Sequence, residues 1–237
     1  MRVHAIILAG GIGSRMKADK PKQFIEIDGK PVIVDTISNF ERNIQVNNIT
    51  VVCLKDWIPY LLELIKKFDL KKVTSIIEGG NSGHDSTRNG VFSLKEILSE
   101  NDLVIIHDAA RPLIPQIIIN DMLDVAKKNG NACTAVSCHD TVIKTTDGIS
   151  GVEQIDRNSF LRVQTPQAYR YGLLLSLYER AEAEGIHDFV YANTMAIKYG
   201  VRIFFSKGFT CNIKITTKED IAFYKAMKQF NEEDLTQ

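Results

Sequence analysis

The sequence predicts an α/β protein with a mostly parallel central sheet and helices on both faces. Two observations carry this expectation. Short apolar runs (HAIILAG, ITVVCL, VTSIIE, LVIIHD) alternate with longer segments of helical periodicity, and a polar or glycine-rich motif follows most runs. In open α/β sheets ligands gather beyond the carboxyl ends of the strands, where these motifs would lie.

The elements follow in order. HAIILAG reads as the first strand, and a helix over 31–42 begins at Pro31, a residue suited to a first helical position. ITVVCL is a second strand, followed by a helix around WIPYLLELIKKF. VTSIIE is a short strand running into Gly79 and Gly80, and the next helix carries Val91, Leu94, Ile97 and Leu98 on one face. LVIIHD is a buried strand ending in His107 and Asp108. From about 139 to 163 the pattern becomes short, polar and turn-rich, which predicts a projecting β-arm that meets a partner subunit. QTPQ, with Thr165 and Gln167, fits a turn as well as a binding role. A helix over 173–184 and an apolar segment over 189–199 return to the body, and VRIFFS and CNIKI resume strands. Thr217 opens the last helix in a capping-box pattern, with an acid placed to reach back. One domain over 1–237 accounts for this length, since a chain of this size buries a substantial core.

Composition narrows the function. Lys plus Arg and Asp plus Glu are both 29, so no general basic field points to a nucleic acid. No signal-like or long apolar segment is present, and the expectation is a soluble, cytoplasmic protein without a membrane partner. Cys53, Cys133, Cys138 and Cys211 form no CxxC pair and read as small buried hydrophobes rather than zinc or redox ligands.

The densest chemical signal is LAGGIGSRMKADKPKQF. Gly10, Gly11 and Gly13 allow backbone N–H groups close to phosphate oxygens, and Arg15 and Lys22 add full positive charge. It is neither a P-loop, which needs Gly-Lys-Ser/Thr, nor a dinucleotide fingerprint, which needs glycine where Met16 stands. Asp108 is the best Mg²⁺ candidate, because that ion takes oxygen ligands and needs only one or two carboxylates beside substrate phosphates. Asn212 is a secondary candidate.

LAGGIGSRM…PKQF, HDAARP, DTVIK, DRNSFLRVQTPQAY and NIKITTKED occur in this order along nearly the whole chain, and the chain thereby resembles the IspD/TarI family. The resemblance implies a Rossmann-like nucleotidyltransferase fold, Mg²⁺ dependence and a homodimer that exchanges arms. It also implies cytidylyl transfer from CTP to 2-C-methyl-D-erythritol 4-phosphate or D-ribitol 5-phosphate. By the same resemblance Arg15 and Lys22 contact the triphosphate, and Lys214 adds charge beside the α-phosphate. Ala9, Gly10, Gly11, Gly13, Gly80, Ser86, Asp108 and Ala109 would hold the nucleotide. Asp108, Thr141, Arg157 and Thr165 would meet the polyol phosphate, with Thr141 and Arg157 reaching it from the arm.

The chemistry suits these residues. A phosphate monoester, with a second pKa about 6, is already an ionised nucleophile at neutral pH, so no strong base is required. Cations and backbone donors must bring two anions together and stabilise charge at the α-phosphorus. Two stretches depart from the family pattern. Gly83 stands where GGxxRxxS places arginine, so one grip on the triphosphate is either missing or supplied by His84. HDFVYANTMAIKYG replaces a TDDAS-like acidic run of the methylerythritol branch, although HDAARP and IDR look closer to that branch. Rival readings are a sugar 1-phosphate nucleotidylyltransferase, opposed by HDAARP and QTPQ, and a catalytically weak nucleotide-binding relative.

Overall fold

A computed structural model describes residues 1–11 and 20–230. Alternation along the first strand, β1 (Val3–Ala9), sets the layering. Ala5 and Ile7 point into one core and Ile6 into another, all fully buried. A strand buried on both faces needs helices on both sides of its sheet. The short strands β2 (Glu26–Ile27) and β3 (Lys30–Pro31) pair only with each other. They lead into α1 (Val32–Arg42), and β4 (Asn48–Cys53), α2 (Ile58–Lys67), β5 (Val73–Glu78) and α3 (Gly83–Phe92) follow. Then come β6 (Leu103–Asp108), α4 (Gln116–Asn129) and β7 (Asn131–Ser137). The arm carries β8 (Val142–Lys144) and β9 (Glu153–Ile155), an antiparallel pair. The chain closes with β10 (Leu161–Arg170), α5 (Tyr171–Glu184), α6 (Ala192–Lys198), β11 (Phe205–Lys207) and α7 (Lys218–Met227).

The seven-stranded sheet has the order β11-β7-β10-β6-β1-β4-β5. Neighbours are parallel except β10, which runs antiparallel to both β6 and β7. Helices α1, α2 and α4 cover one face with Phe40, Leu61, Met122 and their neighbours. Helices α3, α5 and α6 cover the other with Val91, Tyr178 and Met195. The chain leaves β1 toward β4 and β5 and returns on the other side at β6, so a topological switch point lies between β1 and β6. Leu8 pairs with Asp108 there, which brings the end of the glycine-bearing strand beside the end of the aspartate-bearing one.

Several expectations need correction. CNIKI forms no strand; it is an extended segment tied to the body by the Ile215 N–H donating to the Ala110 carbonyl at 2.9 Å. Of VRIFFS only its end enters β11. The third long helix starts at Gly83 and stops at Phe92, so Leu94 and Ile97 lie in turns beyond it and Leu98 follows them. Its start is set by Ser82, whose hydroxyl accepts from the Asp85 N–H at 3.0 Å. QTPQ is no turn: it lies within β10, with a register shift between Val163 and Gln167 and a cis Thr165–Pro166 bond. Pro31 is the N-cap of α1 rather than its first residue. The capping box at Thr217 is present, with Asp220 as the returning acid. Cys53, Cys133 and Cys138 are buried and unpaired.

Candidate active site

A cavity of about 670 Å³ opens at the carboxyl ends of β1 and β6. Gly10, Gly11, Lys22 and Gln23 form one side of it. Gly80, the first turns of α3 and residues 187–192 form a second wall, and Asp108, Thr165, Gln167, Lys214 and Thr216 complete it.

Glycine is required at two of these positions by close approach. A Cβ on Gly10 would lie 2.8 Å from the Ser86 Oγ, and one on Gly80 would lie 2.2 Å from the Asp85 Cβ. The Gly80 N–H donates to the Ser86 Oγ at 3.1 Å, so β1, the β5–α3 turn and α3 are drawn together at one point. The backbone therefore reaches the cavity rim with no side chain in front of it.

Asp108 lies one strand over, where it pairs with Leu8 of β1. Its Oδ1 accepts from Lys214 Nζ at 2.9 Å and its Oδ2 from Arg111 Nε at 3.0 Å. Burial pushes the Asp108 carboxyl up, but Lys214 and Arg111 outweigh it and hold the group well below the usual carboxylate range. Arg111 also donates from Nη1 to the Asn212 carbonyl at 2.8 Å, and its own carbonyl meets His107 Nε2 at 2.9 Å. The Asp108 N–H donates to Thr165 Oγ1 at 3.2 Å, and Asn212 Nδ2 donates to the Thr165 carbonyl at 2.8 Å. Burial lowers His107 to about 4, so it is a neutral hydrogen-bonding group at neutral pH. The result is one aspartate with two cations, only one of which, Lys214, also lines the cavity.

The structure thus brings Gly10, Gly11, Lys22, Gly80, Ser86, Asp108, Thr165 and Lys214 to one cavity. Ala9 and Ala109 are buried just behind it. The Ala9 carbonyl accepts from Gln23, and Ala109 is held by its N–H to Leu8 and by Thr36 on its carbonyl. Asn212 is fully buried behind Thr165, with its Oδ1 lacking a partner among the described residues. Thr141 and Arg157 are exposed on the arm and do not line this chain's cavity. Gly13 and Arg15 lie outside the described residues.

His84 does not replace the missing loop arginine as a cation. It is 4% exposed and packs near Tyr178 and Phe189, with ring centroids 5.1 and 5.8 Å away. Burial, with Arg88 and His187 nearby, lowers its pKa from an ordinary value already below neutrality. A Cβ on Gly83 would meet nothing within 4 Å, so the backbone there leaves room for a side chain to start. Sequence reasoning gave Gln23 no binding role, and it marked 187–192, the start of HDFVYANTMAIKYG, only as a departure from the family pattern. Gln23 had a signal, since it sits next to Lys22 in PKQF, and the wall had one in that departure, although none of its residues was named for the site.

The sequence matches the family described as IspD: 2-C-methyl-D-erythritol 4-phosphate cytidylyltransferase over residues 3–229. It is 37% identical to a ribitol-5-phosphate cytidylyltransferase of Lacticaseibacillus paracasei, over 94% of this chain and 97% of that one. It is 38% identical to a 2-C-methyl-D-erythritol 4-phosphate cytidylyltransferase of Clostridium novyi, over 92% of each chain. The crystal structure of 4-diphosphocytidyl-2C-methyl-D-erythritol synthase from Anaerococcus prevotii superposes with a TM-score of 0.81 at 26% identity, covering 97% of this chain and 96% of that one. With the glycine turn and the Asp108 cluster gathered at one cavity, these likenesses agree with the motif order, and the chain belongs to the IspD family of cytidylyltransferases.

Proposed function

We propose that this enzyme transfers CMP from CTP to a polyol phosphate, 2-C-methyl-D-erythritol 4-phosphate or D-ribitol 5-phosphate, with release of pyrophosphate. The observation that carries the reading is one cavity that gathers backbone donors and two lysines. The glycine turn, Lys22 and Lys214 all line it, with Lys214 held 2.9 Å from Asp108. Two anionic substrates meeting at the α-phosphorus need such a frame. The acceptor phosphate attacks, the bond from the α-phosphorus to the bridging oxygen breaks, and pyrophosphate leaves with that oxygen. Lys22 neutralises charge on the triphosphate, and Lys214 stabilises the extra charge on the pentacoordinate phosphorus. Arg111 holds Asp108 ionised and oriented. Arg15 would add a further cation from the same loop.

Asp108 fits a magnesium ion. Among the described residues it is the sole carboxylate in the buried Lys214–Arg111 cluster, it is ionised, and each oxygen keeps accepting capacity beyond its one ion pair. Among the described residues no group of three or more His, Cys, Asp or Glu gathers to bind a metal, which suits an ion held mostly by phosphates and water. When bound, Mg²⁺ would neutralise and orient the triphosphate. Asn212 would act from behind by fixing Thr165.

The arm supports a homodimeric reading. Ile143, Ile149, Val152, Leu161 and Val163 are exposed along it, and Thr141 and Arg157 stand apart from the cavity lining of their own chain. In a symmetric dimer the arm would carry them to the neighbouring site. No helix among the described residues is long and apolar enough to cross a membrane, in keeping with a cytoplasmic enzyme acting on soluble phosphates.

The test is pyrophosphate release from CTP and Mg²⁺ with each acceptor in parallel, and with ATP, GTP and UTP as controls. Turnover with one acceptor and CTP preference are expected. CTP binding without turnover on either acceptor would move the chain to a degenerate relative.

A further inference from the structure

Gln23 is buried, 2% exposed, in the short turn Lys22–Phe24. That turn is well anchored: the Phe24 N–H donates to the Pro21 carbonyl at 2.8 Å, and the Phe24 ring stacks on Trp57 with centroids 4.7 Å apart. From this fixed base the Gln23 amide reaches back to the end of β1. Its Nε2 donates to the Ala9 carbonyl at 2.6 Å and to the Gly11 carbonyl at 3.0 Å. One side-chain amide group thus takes both carbonyls that flank Gly10.

We propose that Gln23 is a positioning residue for cytidylyl transfer: by capping the Ala9 and Gly11 carbonyls it turns the glycine backbone donor-first toward the triphosphate and locks Lys22 in register with it. This rests on the reading of the glycine stretch as a phosphate loop. A peptide carbonyl is the negative end of its dipole, so a carbonyl facing the cavity would repel phosphate. In a planar trans peptide the N–H points opposite to the carbonyl. Fixing the Ala9 carbonyl on Gln23 therefore fixes the direction of the Gly10 N–H as well. Glycine has no side chain to hold either orientation, and a flexible backbone needs an external clamp.

The clamp also couples two parts of the site. Lys22 is the residue before Gln23, so the same turn that caps the carbonyls carries the cation. Any shift of Gln23 moves both together. Gln23 cannot act as an acid or base, and a primary amide is the one neutral group of this length with two donors on a single atom. Glutamate is its isostere but presents lone pairs to two carbonyl oxygens when ionised, and leucine fills the space with no donor.

The experiment compares the full-length enzyme with Gln23→Leu, Gln23→Glu and Lys22→Ala by steady-state kinetics in CTP and in acceptor, with circular dichroism and thermal unfolding on each. Gln23→Leu is expected to lower kcat by roughly 100-fold, the cost of a misplaced reacting frame, and to raise KM for CTP while KM for the acceptor holds. Gln23→Glu should be as impaired at pH 8 and should recover toward wild type as pH falls, because burial raises its pKa and the protonated acid regains one donor. A general packing role would not produce that pH signature. If Gln23→Leu fails to fold, the Gln23→Glu profile decides. Kinetics within about twofold of wild type for folded Gln23→Leu, while Lys22→Ala is impaired, would overturn the proposal and leave the phosphate-loop reading intact. A flat Gln23→Glu profile, or loss of soluble fold in both Gln23 variants, would also overturn it. An unimpaired Lys22→Ala would instead remove the phosphate-loop reading itself.

Discussion

The cavity at the β1 and β6 ends and the arm at 139–163 hold their charges in opposite ways. At the cavity Asp108 is 7% exposed and paired with Lys214 and Arg111, and Arg111 and Thr165 beside it are each held by a further hydrogen bond from or to Asn212. On the arm Lys144 and Glu153 pair at 3.0 Å with both side chains more than half exposed, and Arg157 reaches only the carbonyl of His139, at 3.3 Å. A buried charge in a rigid frame is ready to act on developing charge without rearranging. An exposed charge on a hairpin has its full effect only when another surface covers it. The body is therefore built to do the chemistry and the arm to complete a site elsewhere, an assignment that belongs to our functional proposal.

The contrast between body and arm breaks first at the lysines. Lys22→Ala is expected to lower kcat by about 100- to 1,000-fold with a much smaller change in substrate affinity, because its charge acts mainly in the transition state. Pre-steady-state and steady-state pyrophosphate release would check this; an unchanged kcat removes Lys22 from the catalytic set. Arg157→Ala should raise KM for the polyol phosphate by about 10- to 100-fold, the worth of a charge-assisted phosphate contact, and leave CTP affinity nearly intact. An equal loss of CTP binding, measured by calorimetry, would contradict the division between arm and body.

Stability should divide in the same way. Asp108→Ala leaves Lys214 and Arg111 without their carboxylate and is expected to cost about 3 kcal/mol in denaturant unfolding, whereas Lys144→Ala on the arm should cost about 1 kcal/mol or less. Part of the pH dependence comes from buried histidines and from Asp108 in the body, while Asp102 in the body and Asp147 on the arm are also held below the usual carboxylate range. Burial lowers His4 and His107 to about 4 from 6.5, so the unfolded chain takes up protons first. Their contribution is complete above pH 6.5 and is lost as the pH falls toward 4. Asp108 is depressed from 3.8, so its contribution is present above that value and is lost as the pH falls further. Unfolding midpoints between about pH 7 and pH 3 should show both stages, and His107→Gln should shrink the first. The smallest change sharpens the nucleotide side: Gly83→Arg adds a Cβ that meets nothing within 4 Å, and the new cation should tighten CTP binding by roughly tenfold or less.

How much of this was legible in the sequence depended on burial. HAIILAG, VTSIIE and LVIIHD read directly because strands covered on one or both faces are continuous apolar runs. Strand β10 escaped because QTPQ has a polar, proline-bearing sequence that reads as a turn, yet Thr134 and Asn212 satisfy the Pro166 and Thr165 carbonyls inside the sheet. CNIKI misled in the other direction: it alternates like a strand, yet Ile215 ties it to the body through Ala110 without forming a ladder. α3 was misplaced because its start is set by the Ser82 cap, while apolar Leu94 and Leu98 pack from beyond its end. At the site, Lys214 and Asp108 could be named separately from their motifs, but not as an ion pair. They are 106 residues apart in the chain, and their segments meet because the Ile215 N–H donates to the Ala110 carbonyl and Arg111 to the Asn212 carbonyl.

Under the proposed arm exchange, each site is completed by the neighbouring chain. The direct measurement mixes Lys22→Ala with Arg157→Ala under conditions that exchange subunits, at acceptor concentrations where each variant alone is nearly inactive. In a mixed dimer the Arg157→Ala protomer supplies an intact body and the Lys22→Ala protomer an intact arm. Recovery of activity is predicted at about one quarter of the sites after random 1:1 exchange. No recovery, with exchange verified by mass spectrometry, would place the arm's arginine at its own chain's site or outside the reaction altogether.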